Sequence, residues 1–113
     1  MSEHYDLTVS IIIPCFNEEQ VIMYTYERVS KTMQSFGTKG YEIIFINDGS
    51  RDRTLSILKE IAQKDANVKI IGFSRNFGHQ PAVTAGIQAC TGDVAIIIDA
   101  DLQDPPEMLE AFF

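Results

Sequence analysis

The sequence predicts an α/β fold: a Rossmann-like, mostly parallel sheet with helices on both faces. Four short runs rich in isoleucine and valine, none of which alternates cleanly between polar and apolar residues, lie at Val9–Ile13, Tyr41–Ile46, Val68–Phe73 and Val94–Ile98. Continuous apolar runs of this length are typical of strands buried on both faces. Segments of helical periodicity separate the runs, and strands that alternate with helices at this spacing imply right-handed crossovers and a parallel sheet.

The first predicted helix carries an apolar stripe whose members recur at steps of four and three residues, which marks one helix face. The stripe consists of Ile22, Tyr26, Val29, Met33 and Phe36. Asn17 is predicted to cap the start of this helix, with Gln20 three residues further on, and Gly37 is predicted to end it.

Three shorter helices are predicted after the first one. Ser50 is expected to cap the second helix. The apolar stripe of that helix is Leu55, Leu58, Ile61 and Ala62. The third helix is predicted to begin near His79, with Pro81 in its first turn and Gly92 beyond its end. Its apolar positions are Val83, Ile87 and Cys90. A fourth is expected to start at residues 104–107, where Asp-Pro-Pro-Glu supplies a cap and a first turn.

Composition and charge exclude several classes of protein. The chain has 16 acidic and nine basic residues, for a net charge of −7, whereas a nucleic-acid-binding domain shows a basic face. It has no polybasic segment for an anionic membrane. The two cysteines, Cys15 and Cys90, form no CxxC or Cys/His cluster. A structural zinc site is therefore not expected. We expect both cysteines to be free thiols in a reducing cytosol.

A single domain is expected from a chain of 113 residues. Residues 1–7 are interpreted as a polar tail that is not a signal peptide. Residues 8–113 are interpreted as part of a larger domain, because the last predicted helix ends on Phe112 and Phe113. No apolar run approaches the roughly 20 residues that span a bilayer, so a cytoplasmic location without a membrane segment is expected for this chain.

Each predicted strand is followed by a polar cluster. The clusters are Pro14–Glu19, Asn47–Ser50, Ser74–His79 and Asp99–Gln103. In open α/β sheets, ligands bind in the crevice at the carboxyl ends of the strands, where the strand order reverses. The sequence therefore predicts a ligand site at that edge of the sheet.

Asp99 and Asp101 stand two residues apart at a strand end, so their side chains can lean toward the same face. Two nearby carboxylates repel each other unless a positive charge lies between them. Mg²⁺ and Mn²⁺ prefer oxygen ligands of this kind, usually one or two carboxylates together with substrate phosphates, and Gln103 can offer a third oxygen. The alternative interpretation is that both aspartates are loop residues that cap the next helix.

Four other polar residues each allow two interpretations. Asp48 lies at a strand end facing the crevice, where it can hydrogen-bond a base or a ribose, but Asp-Gly-Ser is also an ordinary turn. Arg75 can pair with a diphosphate or with one of the many acidic side chains. Asn17 and Glu18 can contribute to a ligand site, but helix capping and pairing with the helix dipole suffice to explain them.

Three common motifs are absent from the sequence. There is no GxxxxGK[ST], which excludes a P-loop NTPase. There is no GxGxxG after the first predicted strand, which argues against a dinucleotide-binding Rossmann site. There is also no GxSxG elbow of the kind found in α/β-hydrolases.

Taken together, four stretches resemble family 2 glycosyltransferases of the GT-A fold. They are Val9–Glu19 (VSIIIPCFNEE), Ile46–Asp52 (INDGSRD), Ser74–His79 (SRNFGH) and Asp99–Glu107 (DADLQDPPE). Their order and spacing make the resemblance specific, and it covers nearly the whole chain. Within the family, the last two stretches are most similar to those of polyprenyl- and dolichol-phosphate sugar transferases.

The resemblance implies a site for a UDP- or GDP-sugar. That site would consist of Pro14, Phe16, Asn17, Glu18, Ile46, Asp48, Gly49, Arg75, Asp99 and Ala100. Within it, Ile46 and Asp48 would contact the base and the ribose. Asp101, together with Gln103 and Asp99, would bind Mg²⁺ or Mn²⁺.

The resemblance also implies transfer of a sugar, with inversion, from the nucleotide to an acceptor such as a polyprenyl phosphate of cell-envelope polysaccharide synthesis. A general base, where one is used, would lie beyond residue 113, as would helices that attach the full-length protein to the cytoplasmic face of the membrane. This chain alone is therefore expected to be inactive. The alternatives are a non-catalytic nucleotide-binding module and a nucleotidyltransferase, although the acidic loop at residues 14–19 argues against the latter.

Overall fold

The structure, a computed structural model, describes residues 5–101. It contains the predicted alternation of strands and helices. The elements are β1 (Tyr5–Cys15), α1 (Ile22–Ser35), β2 (Thr38–Asn47), α2 (Thr54–Lys64), β3 (Val68–Gly72), α3 (His79–Ala89) and β4 (Val94–Ile97). The fourth predicted helix and Gln103 lie outside the described residues.

The four strands form one parallel sheet in the order β3-β2-β1-β4. The chain steps outward from β1 through β2 to β3 and then returns across the sheet to place β4 beside β1. The register pairs Ile11 of β1 with Ile43 of β2 on one side and with Ile96 of β4 on the other. The strand order therefore reverses between β1 and β4, which is where a ligand crevice is expected in this class of fold.

Helices cover both faces of the sheet, as predicted. Val9, Ile11 and Ile13 of β1 face one core cluster, which also contains buried side chains of α1 and α2. The intervening Ile12 faces a second cluster with Ala82 of α3. This alternation follows from the two-residue period of a strand, and it gives β1 an apolar side chain on each face.

Only the two central strands match the prediction that every strand is buried on both faces. Residues 9–13 of β1 and 42–48 around the end of β2 are buried without a break. The outer strands β3 and β4 have exposed positions, among them Ile97, whose side chain is 46% exposed. The outer strands are more exposed because each has only one neighbouring strand among the described residues. An apolar run in the sequence does not reveal where its strand lies in the sheet.

Gly86 explains how α3 lies so close to the sheet. A Cβ atom at this position would stand 2.5 Å from Cγ2 of Ile12 and 2.9 Å from Cδ1 of Ile46. These distances are shorter than any normal contact between carbon atoms. The helix therefore tolerates glycine in its interior, despite a cost of about 1 kcal/mol relative to alanine.

Two predicted helix caps are wrong. Helix α1 begins at Ile22 with Val21 at the cap position, and Asn17 lies well before it with a φ of 53°. Helix α2 begins at Thr54, and Ser50 lies too early to cap it. In both cases the strand-to-helix loop is longer than the sequence pattern suggested, because its polar side chains bond to a neighbouring loop.

Two predicted boundaries have clear outcomes. Gly37 follows the end of α1 with a φ of 68°, which confirms its role as the left-handed residue that ends the helix. Strand β1 begins at Tyr5, so residues 5–7 belong to the strand and not to the expected polar tail.

Among the described residues, no helix combines the length and apolar character needed to cross a bilayer.

A buried carboxylate joins the strands at the amino edge of the sheet, opposite the predicted ligand site. Oε2 of Glu42 accepts hydrogen bonds from the Ser10 hydroxyl at 2.6 Å and from the Thr91 amide at 2.7 Å. Oε1 forms an ion pair with Nζ of Lys69 at 2.6 Å. Burial raises the pKa of Glu42, but the bonds from Lys69, Ser10 and Thr91 outweigh it and lower the pKa to about 2.

Replacing Glu42 with glutamine is expected to lower the free energy of unfolding by about 1–3 kcal/mol at pH 7, because the amide cannot accept all of these bonds. The folded pKa of about 2 lies below the usual value of 4.5. The contribution is therefore complete above about pH 4.5 and disappears as the pH falls toward 2. Urea unfolding of wild type, Glu42→Gln and the exposed control Glu60→Gln at several pH values measures this. Equal stability of Glu42→Gln and wild type at pH 7 would contradict it.

Candidate functional site

A cavity of about 400 Å³ opens at the carboxyl edge of the sheet, where β1 and β4 end. All four predicted polar clusters contribute to it. Its lining is Pro14, Cys15, Phe16, Glu18, Asp48, Asn76, Gly78, His79, Asp99, Ala100 and Asp101. The structure thus confirms that the clusters meet at one edge and at the reversal of strand order.

The cavity lining is strongly acidic. Glu18, Asp48, Asp99 and Asp101 all line it, and no lysine or arginine is among the described residues that do. Burial raises the pKa of Glu18, and the nearby charges of Asp101 and Asp52 raise it further. Carboxylates that raise each other's pKa repel when ionised. A cation between them would relieve this repulsion.

The donor set suits a hard divalent cation that also contacts a ligand. Asp99 and Asp101 both line the cavity, whereas Gln103 lies outside the described residues. No group of three histidine, cysteine, aspartate or glutamate side chains within residues 5–101 is arranged to hold a metal by itself. Mg²⁺ commonly takes only one or two carboxylates and completes its shell with water and phosphate oxygens. The two aspartates fit that pattern.

The carboxylate of Asp48 accepts hydrogen bonds from the loop that follows β3. Its Oδ1 accepts the Phe77 amide at 2.7 Å, and its Oδ2 accepts the Gly78 amide at 3.0 Å and the Asn76 side-chain amide at 3.1 Å. The side chain is only 5% exposed. Asp48 therefore fixes one wall of the cavity, a role that the turn-forming and ligand-binding interpretations both missed.

Gly49 is needed for the same contact between loops. Its φ is 71°, and a Cβ atom there would stand 2.2 Å from the backbone carbon of Arg75. The two backbones touch at this point, so any side chain at position 49 would separate them. Gly49 thus serves packing, and no part of it lines the acidic cavity.

Arg75 stacks on an aromatic ring. Its guanidinium carbon lies 4.5 Å from the centre of the Phe77 ring, and that ring packs edge-on against Phe73 with 5.5 Å between the ring centres. Cation–π contacts of this kind are typical of arginine. Arg75 therefore contacts the ring of Phe77. From the sequence, either a diphosphate or an acidic side chain was expected as its partner.

A second cavity of about 510 Å³ adjoins the first. Asn17, Gly49 and Arg75 line this second cavity and not the acidic one, while Phe16 lines both. Ile46 is fully buried in the cluster beneath α3. Its side chain belongs to the core, so the expected contact with a base would have to come from its backbone.

The loop after β1 is fastened to the loop after β2. The Asn17 amide donates to Oγ of Ser50 at 2.9 Å, and Oδ1 of Asn17 accepts the Arg51 amide at 2.8 Å. The Glu18 amide donates to Oγ1 of Thr54 at 2.8 Å. These bonds set the position of the Glu18 side chain at the cavity, and they explain why Asn17 and Ser50 do not cap helices.

Four lining residues of the cavity are not among the predicted site residues: Cys15, Asn76, Gly78 and His79. The signal for the last three was the polar cluster after β3, which ends at the first residue of α3. Burial, followed by the charges of Glu18, Asp52 and Asp48, raises the pKa of the Cys15 thiol to about 12. The thiol thus stays protonated and is a poor nucleophile.

The protein-family comparison matches residues 10–113 to the model described as glycosyl transferase family 2. An uncharacterised glycosyltransferase of Bacillus subtilis, YkcC, is 50% identical over 96% of this chain and 33% of its own length. A prophage bactoprenol glucosyl transferase homologue of Escherichia coli is 44% identical over 91% of the chain and 33% of its own length. The chain thus spans about a third of the length of these relatives.

Solved structures show the same fold. A mannosyltransferase of Pyrobaculum calidifontis in complex with GDP-Man and Mn²⁺ superposes with a TM-score of 0.73 at 20% identity, over 86% of this chain and 28% of its own. GalNAc-T7 with UDP, GalNAc and Mn²⁺ gives a TM-score of 0.71 at 29% identity, over 87% of this chain and 19% of its own. With the family match over nearly the whole sequence, the conclusion is that this chain belongs to glycosyltransferase family 2 and has the GT-A fold.

Proposed function

We propose that this chain forms the nucleotide-sugar-binding part of a transferase that moves a sugar from a UDP- or GDP-sugar to a polyprenyl phosphate. The observation that carries the proposal is the acidic cavity at the reversal of strand order, where Asp99 and Asp101 lie together with Glu18. Because the chain spans about a third of its relatives' length, we assign donor binding to this chain and sugar transfer to the whole protein.

The divalent cation is proposed to join the aspartates to the donor diphosphate. Asp101 and Asp99 would supply carboxylate oxygens, and Gln103 would be a further ligand. When bound, Mg²⁺ or Mn²⁺ would neutralise the charge that develops on the departing diphosphate. GalNAc-T7, one of the similar structures, is described with UDP and Mn²⁺, which supports this assignment.

The base and ribose are proposed to lie against the other walls of the cavity. Phe16 is 40% exposed and lines both cavities, so its ring offers an aromatic surface for a base. Asp48 holds the Asn76–Gly78 wall in place through its hydrogen bonds to that loop. The cavity wall would thus be ready before the donor arrives.

The acceptor is proposed from the relatives and from chemistry. One relative is described as a bactoprenol glucosyl transferase homologue, which supports a polyprenyl phosphate acceptor and attachment of the whole protein to the membrane. The acceptor oxygen would attack the anomeric carbon opposite the departing diphosphate, which inverts that carbon. A phosphate acceptor is already anionic and needs less help from a general base than a neutral hydroxyl does.

Calorimetric titration of this chain with UDP, UDP-glucose, GDP and GDP-mannose, each with and without Mn²⁺, tests the donor site. We expect one nucleotide family to bind only with Mn²⁺, and Asp101→Asn to weaken that binding at least about tenfold because it removes a charged ligand. Glu27→Gln on the exposed face of α1 is the control. Metal-independent binding that Asp101→Asn leaves unchanged would support the non-catalytic nucleotide-binding module instead.

Asp48→Asn separates the positioning role of Asp48 from a role in direct binding. The amide would set its own N–H groups against donors of the 76–78 loop, so we expect a loss of about 1–3 kcal/mol in the free energy of unfolding, measured in urea. The matched control is Asp99→Asn, whose carboxylate is exposed; it should weaken donor binding and leave stability within about 0.5 kcal/mol of wild type. Unchanged stability of Asp48→Asn would show that the hydrogen bonds to the loop are dispensable.

A further inference from the structure

We propose that Thr25 of α1 is a positioning residue for the Asp99–Asp101 segment, an inference that rests on the metal-dependent function proposed above. Thr25 is fully buried, and its hydroxyl lies 2.5 Å from the backbone oxygen of Ala100. Ala100 is the residue between the two aspartates. Its carbonyl belongs to the peptide group that leads into Asp101, so this bond fixes the orientation of that peptide.

The hydroxyl of Thr25 has a choice of acceptors, which makes its partner informative. A threonine inside a helix usually donates to the carbonyl four residues earlier, here that of Val21, which lies at 3.1 Å. The Ala100 oxygen is nearer, at 2.5 Å. Both oxygens lie within hydrogen-bond distance of the hydroxyl, and the bond to Ala100 is the one that reaches outside the helix. The side chain therefore connects the first helix to the end of the sheet.

The segment needs such a connection because it continues past the end of β4. The strand ends at Ile97, and the Ile98 amide still donates to Ile12 of β1 at 2.9 Å. Beyond that point Ala100 is buried in the core, whereas Asp99 and Asp101 are exposed. Ala100 thus anchors the segment in the core through its side chain and its carbonyl, while the aspartates on either side of it are exposed.

The bond from Thr25 to Ala100 bears directly on the proposed metal ligands. Hydrogen bonds behind metal ligands orient those ligands for the ion. By fixing the peptide group that leads into Asp101, the Thr25 hydroxyl would keep the Asp101 carboxylate in place for a metal ion.

Nuclear magnetic resonance of this chain tests the positioning role without any ligand. Thr25→Val keeps the shape of the side chain and removes the hydroxyl, whereas Thr25→Ser keeps the hydroxyl. Thr32→Val is the matched control, because Thr32 lies on the same helix and donates to the carbonyl of Arg28 within that helix at 2.8 Å. We expect Thr25→Val alone to shift the Asp101 amide signal and to lower the backbone order parameters of residues 99–101 from about 0.85 toward 0.6.

A positioning role for Thr25 requires that only the loss of its hydroxyl changes the Asp101 signals. Unchanged Asp101 signals and order parameters in Thr25→Val would overturn it, as would the same changes in Thr32→Val. If Thr25→Val does not fold, the comparison of Thr25→Ser with Thr25→Ala takes its place, and equal spectra around Asp101 in these two variants would overturn it.

A second measurement connects the position of the segment to metal binding. With UDP present, we expect Thr25→Val to bind Mn²⁺ about tenfold more weakly than wild type, with Thr25→Ser and Thr32→Val close to wild type. Equal Mn²⁺ affinity of Thr25→Val and wild type would overturn the functional part of the inference. Failure of the wild-type chain to bind Mn²⁺ at all would instead contradict the proposed function, and the spectra would still decide whether Thr25 fixes the segment.

Discussion

The position of β4 beside β1 determines how the helices cover the sheet and which loops meet at its carboxyl edge. Because the chain steps outward to β3 and then returns, α1 and α2 cover one face of the sheet and α3 covers the other. The return also brings the loop after β1 next to the segment Asp99–Asp101. Neither stretch forms a site alone, since each contributes only part of the acidic lining. The parallel sheet therefore determines the position of the candidate site before any side chain is considered.

Hydrogen bonds between loops then give the cavity its shape. Asp48 holds the loop after β3, and Asn17 is bonded to the loop after β2. Thr25 reaches from α1 to Ala100. At the opposite edge, Glu42 fastens the strand ends with a similar set of bonds. The polar side chains at both edges are thus used mainly to fix backbone segments, and at the carboxyl edge this leaves Asp99 and Asp101 exposed.

The sequence predicted the fold and the edge of the sheet at which polar residues meet, because both follow from local periodicity. It could not predict contacts between residues distant in the chain. Asn17 matches a helix cap in sequence, but its partner is Arg51 of another loop. The burial of Ile46 depends on the close approach of α3 at Gly86. Thr25 gives no sequence signal at all, since a threonine within a helix is common and its acceptor lies 75 residues away.

A metal ion and a nucleotide are proposed to bind at the carboxyl edge of the sheet. Paramagnetic broadening by Mn²⁺ in the presence of UDP distinguishes this edge from the amino edge, because the effect falls steeply with distance and both edges carry carboxylates. We expect selective loss of amide signals at residues 15–18 and 99–101, with the signals of Thr91 and Gly92 beside Glu42 retained. Loss of signals around Glu42, or diffuse broadening over the acidic surface without preference for either edge, would contradict it.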